Sequence, residues 1–152
     1  MGNICRSPSA EGVVRHYLEI SGLARTVTVD SAGTHGYHAG EPADPRAQRA
    51  AAKRGFDLSR KRARRVRSDD FERYDLILAM DRDNLRALER GCPESHREKL
   101  GLFMFYGTRF QGAEVPDPYY GGPDGFDYVL DMLEDGAHGL MEALRTRLLV
   151  GH

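Results

Sequence analysis

A chain of 152 residues with 40% apolar side chains is long enough for a single domain with one sizeable core, and residues 1–152 read as one unit. Its net charge of −1 argues against a generally nucleic-acid-binding surface, and two cysteines give no disulfide framework. With no recognisable signal peptide and no apolar run long enough to span a membrane, a reducing cytoplasm is the expected setting.

The first eight residues, Met1-Gly2-Asn3-Ile4-Cys5-Arg6-Ser7-Pro8, read as an anion-binding loop running into a helix. Gly2 and Asn3 are the residue types that most easily take φ > 0, which lets successive N–H groups turn inward as a nest. Ser7 is expected to cap a helix whose first position is Pro8. Arg6 adds a planar fork of donors that matches two phosphate oxygens at once, beside the positive end of the helix dipole. Together these residues suit a phosphate dianion. The charge along the chain fits: residues 1–67 hold 13 Lys/Arg against 6 Asp/Glu, and residues 68–152 hold 9 against 17.

Ala10, Val13, Val14, Tyr17 and Leu18 recur at helical spacing, and Gly22 stands where a helix stop belongs. Thr26-Val27-Thr28-Val29 is β-branched throughout and predicts a strand, with Asp30 to Thr34 as its exit loop. Asp44 and Pro45 open a second helix that Gly55 ends. The apolar run Asp75 to Met80 predicts a strand buried on both faces, and a helix follows Asp81 as far as Gly91. A helical turn near Pro93 leads to a third strand over Leu100 to Phe105. Two prolines then flank Asp117 in Val115-Pro116-Asp117-Pro118-Tyr119-Tyr120, giving that carboxylate a stiff path. A long helix from Phe126 closes the chain. Alternating strands and helices predict an α/β fold, a mostly parallel sheet with helices on both faces and ligand-binding loops at the strands' carboxyl ends. Ser31, Asp81 and Asp117 each follow a strand and are expected to gather there.

Gly2-Asn3-Ile4-Cys5-Arg6-Ser7-Pro8, Asp30-Ser31-Ala32-Gly33, Leu78-Ala79-Met80-Asp81 and Asp117-Pro118-Tyr119-Tyr120 stand in the order and spacing of one family. The chain resembles the low-molecular-weight protein tyrosine phosphatases, whose loop signature is V-C-x-G-N-I-C-R-S-P. The resemblance implies a parallel four-stranded sheet in the order 2-1-3-4, with the first strand missing from this chain. It also implies phosphotyrosine hydrolysis through a phosphocysteine. Met1 falls on the x of the signature, so the nucleophilic cysteine falls before Met1 and the chain as written is expected to be inactive. Without the central strand, the 26–29 and 75–80 strands would lack their shared partner.

Carried over by the resemblance, Arg6 clamps the phosphate and Asp117 is general acid and base. Gly2, Asn3, Ile4 and Cys5 supply loop amides, and the Ser7 hydroxyl steadies the leaving thiolate. Asn3 locks the loop through Ser31, and Tyr37, Tyr119 and Tyr120 line an aromatic slot. Family members often carry a histidine near Lys61 that supports the loop, and this chain has none there. Neither Cys5 nor Cys92 has an arginine at the spacing a nucleophile would need. No cofactor and no metal site is expected. The expected partner is a phosphotyrosine-containing protein or an aryl phosphate, with no nucleic acid and no membrane. The run Arg60 to Arg67 lacks interleaved aromatics and reads as a basic rim that attracts phosphoproteins.

Three alternatives stand beside the phosphatase. A phosphate-binding module without a nucleophile would have no use for a proton donor at Asp117. Arsenate reduction on the same fold needs a relay of cysteines that Cys92 alone does not supply. Protein-arginine phosphatases carry Thr where Ile4 stands.

Overall fold

The structure is a computed structural model and describes residues 6–36, 39–118 and 123–150. Five α-helices and two strands are named here in chain order: α1 Arg6–Ile20, α2 Pro45–Lys53, α3 Asp70–Arg73, β1 Ile77–Ala79, α4 Arg82–Gly91, β2 Leu100–Leu102 and α5 Pro123–Val150. Short 3-10 helices cover Glu94–Lys99 and Phe103–Tyr106.

The local signals place most helix ends. The Asp44 carboxylate caps α2 by accepting from the Arg46 N–H at 2.8 Å, and Gly55 beyond its end has φ 85°. Gly22, past the end of α1, has φ 74°, a conformation that Gly reaches without a Cβ clash. The start of α1 differs from expectation. The helix already includes Arg6, so Ser7 lies inside its first turn instead of capping it. Pro8 is tolerated there because first-turn N–H groups have no intrahelical acceptor to lose.

β1 and β2 pair in parallel, with Ile77 opposite Leu100 and Ala79 opposite Leu102. Alternation along β1 sends Leu76, Leu78 and Met80 to one face and Ile77 and Ala79 to the other. The first face joins the main core, built from α1, α2 and α5 around Val13, Leu18, Met104, Val115, Leu130 and Leu133. The second packs on Phe71, Leu88 and Cys92, from α3, α4 and the residue after it. Helices thus cover both faces, as in an α/β fold.

The sheet is smaller than expected. Val27 to Asp30 forms no ladder, so the strand expected over 26–29 is not made among the described residues. Its β-branched residues still bury, since Val27 and Val29 pack on the main core. A strand is a paired object, and propensity cannot supply the partner. The expected strand over 100–105 also ends early. After Leu102 the chain turns into the 3-10 helix that drops Phe103 and Met104 into the core.

That helix is held by close approach to α5. A Cβ at Gly139 would overlap the Tyr106 carbonyl, and one at Gly136 would overlap the Phe103 ring. The Asp135 carboxylate just before them accepts the Thr108 hydroxyl at 3.0 Å and the Phe110 N–H at 2.9 Å. From the same helix, Asp131 and Glu134 bridge to Arg54 at 2.9 Å and 2.7 Å, tying α2 to α5. Burial, then the hydrogen bond to Glu134 and its charge, push the Tyr17 phenol up to about 12.

Gly139→Ala puts a methyl against backbone that cannot rotate away and is expected to destabilise by about 1–3 kcal/mol, the usual cost of overpacking. Ala137→Gly, on the same helix, is expected to cost roughly 1 kcal/mol plus its lost methyl contacts. Urea unfolding midpoints measure both; an unchanged midpoint for Gly139→Ala would show that α5 does not pack this closely.

Candidate active site

The centre of the site is Arg6, on the first turn of α1 and only 5% exposed. Its Nη1 donates to Asp81 Oδ2 at 2.6 Å and to the Val115 carbonyl at 2.8 Å. Nη2 lies 3.5 Å from Asn84 Oδ1. No described residue accepts from its Nε. One edge of the guanidinium is therefore tied to the protein, while Nε and part of Nη2 remain as a donor pair at the spacing of two oxygens of a tetrahedral anion.

Asp81 owes its place to the end of β1. It is the N-cap of α4, its Oδ1 accepting from the Asn84 N–H at 2.7 Å while Oδ2 takes Arg6. Burial pushes its carboxyl up, but the hydrogen bonds from Arg6 and the Asn84 N–H, with the Arg6 charge, outweigh that and hold it below the usual carboxylate range. The same strand end places Asp117. The Val115 N–H donates to the Met80 carbonyl at 2.9 Å, and the Val115 carbonyl accepts Arg6. Asp117 follows two residues later, half-buried, and the buried Pro118 beyond it lies against Gly125 of α5. The proline-flanked segment is thus pinned on both sides of its carboxylate.

A second network runs from α1 into the 31–41 loop. Ser31 Oγ donates to Glu11 Oε1 at 2.7 Å. Lys61 Nζ, its side chain 10% exposed, meets Glu11 at 3.2 Å, Asp30 at 2.8 Å and the Ser31 carbonyl at 2.6 Å. Arg64 continues it to Asp30 at 3.0 Å and to Asp70 at 2.9 Å. Lys61 thereby ties the Ser31 loop to α1. For Asp30, burial pushes the carboxyl up. The hydrogen bonds from Lys61 and the Ser31 N–H and the charges of Lys61 and Arg64 more than reverse this, bringing it to about 2.

Of the residues singled out from sequence, Arg6, Ser7, Ser31 and Asp117 are described; Gly2, Asn3, Ile4, Cys5, Tyr37, Tyr119 and Tyr120 lie outside the described residues. Ser7 is half-buried one residue after Arg6. Sequence reasoning missed Glu11, Asn84 and the direct Asp81–Arg6 pair. Glu11 had a signal, an acid five positions after Arg6 on one helix, but the Asp81 pairing spans 75 positions and has no local signature. Cys92 is buried against Phe71, Ala79 and Leu88, away from these groups. Among the described residues no cluster of His, Cys, Asp or Glu is placed to hold a metal, and no helix is long and apolar enough to cross a membrane.

A buried arginine on a helix start, a strand-end aspartate paired with it and a second carboxylate two residues beyond its carbonyl anchor stand together in an α/β fold. Residues 1–149 match the family model of the low molecular weight phosphotyrosine protein phosphatases, and the chain belongs to that family. By family it is a protein-tyrosine phosphatase, a phosphoric monoester hydrolase. It is 45% identical over 150 residues to the low molecular weight protein-tyrosine-phosphatase of Streptomyces coelicolor, covering 97% of this chain and 91% of that one. The human low molecular weight phosphotyrosine protein phosphatase is 38% identical over 131 residues, covering 85% and 82%. In three dimensions the chain is similar to the protein tyrosine phosphatase of Entamoeba histolytica with Hepes in its active site. That match has a TM-score of 0.93 and 41% identity, covering 96% of this chain and 93% of that one.

Two substitutions test these networks. Asp81→Ala leaves a buried cation short of its carboxylate and removes a helix cap, so it is expected to cost about 3 kcal/mol in urea unfolding, with Asp81→Asn intermediate. Asp30, whose carboxyl is lowered on folding, contributes stability that is present above about pH 4 and lost as pH falls toward 2. The stability gap between the wild type and Asp30→Asn should therefore close over that window; a gap independent of pH would dissociate Asp30 from the Lys61 pairing.

Proposed function

We propose that residues 1–152 form one domain whose site hydrolyses phosphotyrosine through a phosphocysteine. The observation that carries this reading is the Arg6 guanidinium, buried and tied by Nη1 to Asp81 and Val115 with Nε left to bind phosphate. The position preceding Met1 supplies the nucleophile in this reading, as the loop signature implies. A helix N-terminus and Arg6 beside it lower a thiol pKa from about 8.5 toward roughly 4–7, so the attacking group is a thiolate at neutral pH.

The thiolate attacks phosphorus in line, forming the S–P bond as the P–O bond to the aryl group breaks. Asp117 gives its proton to the departing phenolate oxygen, worth on the order of 10²–10⁴ in rate. The Asp117 carboxylate then takes a proton from the water that attacks the phosphocysteine, the S–P bond breaks, and inorganic phosphate and the thiolate are released. Arg6 pairs with equatorial oxygens throughout, and the Gly2 to Cys5 amides complete the cradle. Ser7 steadies the leaving thiolate, Ser31 supports the loop, and Tyr37, Tyr119 and Tyr120 hold the flat ring. The family's four-stranded sheet, order 2-1-3-4, gives the unpaired 26–29 segment and β1 a common central neighbour. A cytoplasmic setting suits the thiolate.

In-frame codons directly upstream of Met1 are expected to encode an apolar segment of about ten residues ending in Cys, at ordinary strand length. With that segment present, hydrolysis of p-nitrophenyl phosphate should appear. Stop codons there favour a phosphate-binding module. Asp117→Asn in the extended chain should slow turnover by 10²-fold or more for poor leaving groups and least for the best ones; equal slowing across leaving groups would remove Asp117 from the acid role.

A further inference from the structure

The basic run from Arg60 to Arg67 divides its charges by direction. Lys61 and Arg64 turn inward and are consumed by Glu11, Asp30 and Asp70. Arg62 and Arg65 are exposed, and among the described residues no carboxylate lies within ion-pair distance of either. The backbone that presents them is fixed. Gly33 donates to the Arg64 carbonyl at 2.8 Å and accepts from Val66 at 3.0 Å; Ala63 donates to the Glu41 carbonyl and accepts from Gly40, both at 2.8 Å. The stem of Arg65 runs along Gly36, where a Cβ would sit 3.5 Å from Arg65 Cδ. The same loop reaches the site, since the Thr34 hydroxyl is 3.4 Å from Asn84 Nδ2 and Asn84 adjoins Arg6.

Two guanidinium groups with no carboxylate at ion-pair distance among the described residues thus stand on backbone paired to the loop that reaches Asn84 beside Arg6. We infer that Arg62 and Arg65 form a subsite for Asp and Glu residues flanking the phosphotyrosine of a protein substrate, an inference that rests on the phosphotyrosine reading above. A peptide anchored at Arg6 and running in extended form advances about 3.3 Å per residue, so carboxylates a few positions from the phosphotyrosine come within reach of the rim. Guanidinium pairs with carboxylate in a two-point fork, and a backbone already held in place loses little freedom on binding. Nucleic acid fits less well, because no aromatic side chain interrupts the run to stack a base.

The test is fluorescence anisotropy of labelled phosphotyrosyl peptides with neutral, acidic or lysine flanks, which needs binding and no turnover. At low ionic strength the acidic peptide should bind about three- to tenfold tighter than the neutral one, the sum of two exposed ion pairs. That advantage should fade in 0.5 M salt. Arg62→Gln with Arg65→Gln should abolish the preference while leaving the neutral peptide's Kd within about twofold, which also reports that the variant is folded; Arg62→Glu with Arg65→Glu should turn it toward lysine flanks. Acidic and neutral peptides binding alike, or a double variant that weakens all peptides equally, would overturn the subsite alone. An oligonucleotide binding as tightly as the acidic phosphopeptide would reassign the rim to nucleic acid. No binding of any phosphotyrosyl peptide would bring down the phosphotyrosine reading and the subsite with it.

Discussion

A guanidinium buried at the start of α1 is the constraint on which the site depends. Burying a permanent charge is expensive unless it is paired and hydrogen-bonded, and Arg6 meets that demand from two separate stretches of chain. Asp81 comes from the end of β1, Asn84 from the first turn of α4, and the Val115 carbonyl from the segment that continues toward Asp117. These contacts span 75 to 109 positions in sequence, so the arginine is correctly held only when the whole domain is folded. The same contacts bring the proposed acid near the proposed clamp, because Asp117 lies two residues from the carbonyl that Arg6 grips.

The second network has the same logic at the opposite side of the helix start. Glu11 is held by Ser31 and Lys61; Lys61 shares Asp30 with Arg64; Arg64 ends at the buried Asp70. Three acids and two bases therefore sew α1, the 31–41 loop and α3 together. Within a run rich in arginine and lysine, this network decides which charges become structural and which stay available. The alternation is set by backbone pairing with Gly33 and Glu41, not by composition.

The sheet contributes position more than size. β1 and β2 are three residues each, yet alternation along β1 separates the core that carries α1 and α5 from the one that carries α4. Its carboxyl end delivers Met80 and Asp81 to the site. Close contact between α5 and the 3-10 helix at Phe103–Tyr106 fixes the far boundary of the main core, where Gly136 and Gly139 leave no room for side chains.

Most helix ends and the alternation of element types were legible in the sequence, because caps, stops and hydrophobic period are local properties of neighbouring residues. The family was legible for the same reason, through short motifs at definite spacing. Tertiary structure alone decided the rest. It left Val27 to Asp30 without a ladder among the described residues, since a strand needs a partner that β-propensity does not provide, and it turned Phe103 and Met104 into the core where the apolar run predicted more strand. It also chose Asp81 and Asn84 as the supports of Arg6, put Lys61 against Glu11 and Ser31, and sorted the arginines of the basic run. Those choices depend on which distant groups fold into contact with a buried charge, and no local pattern encodes a separation of 75 residues.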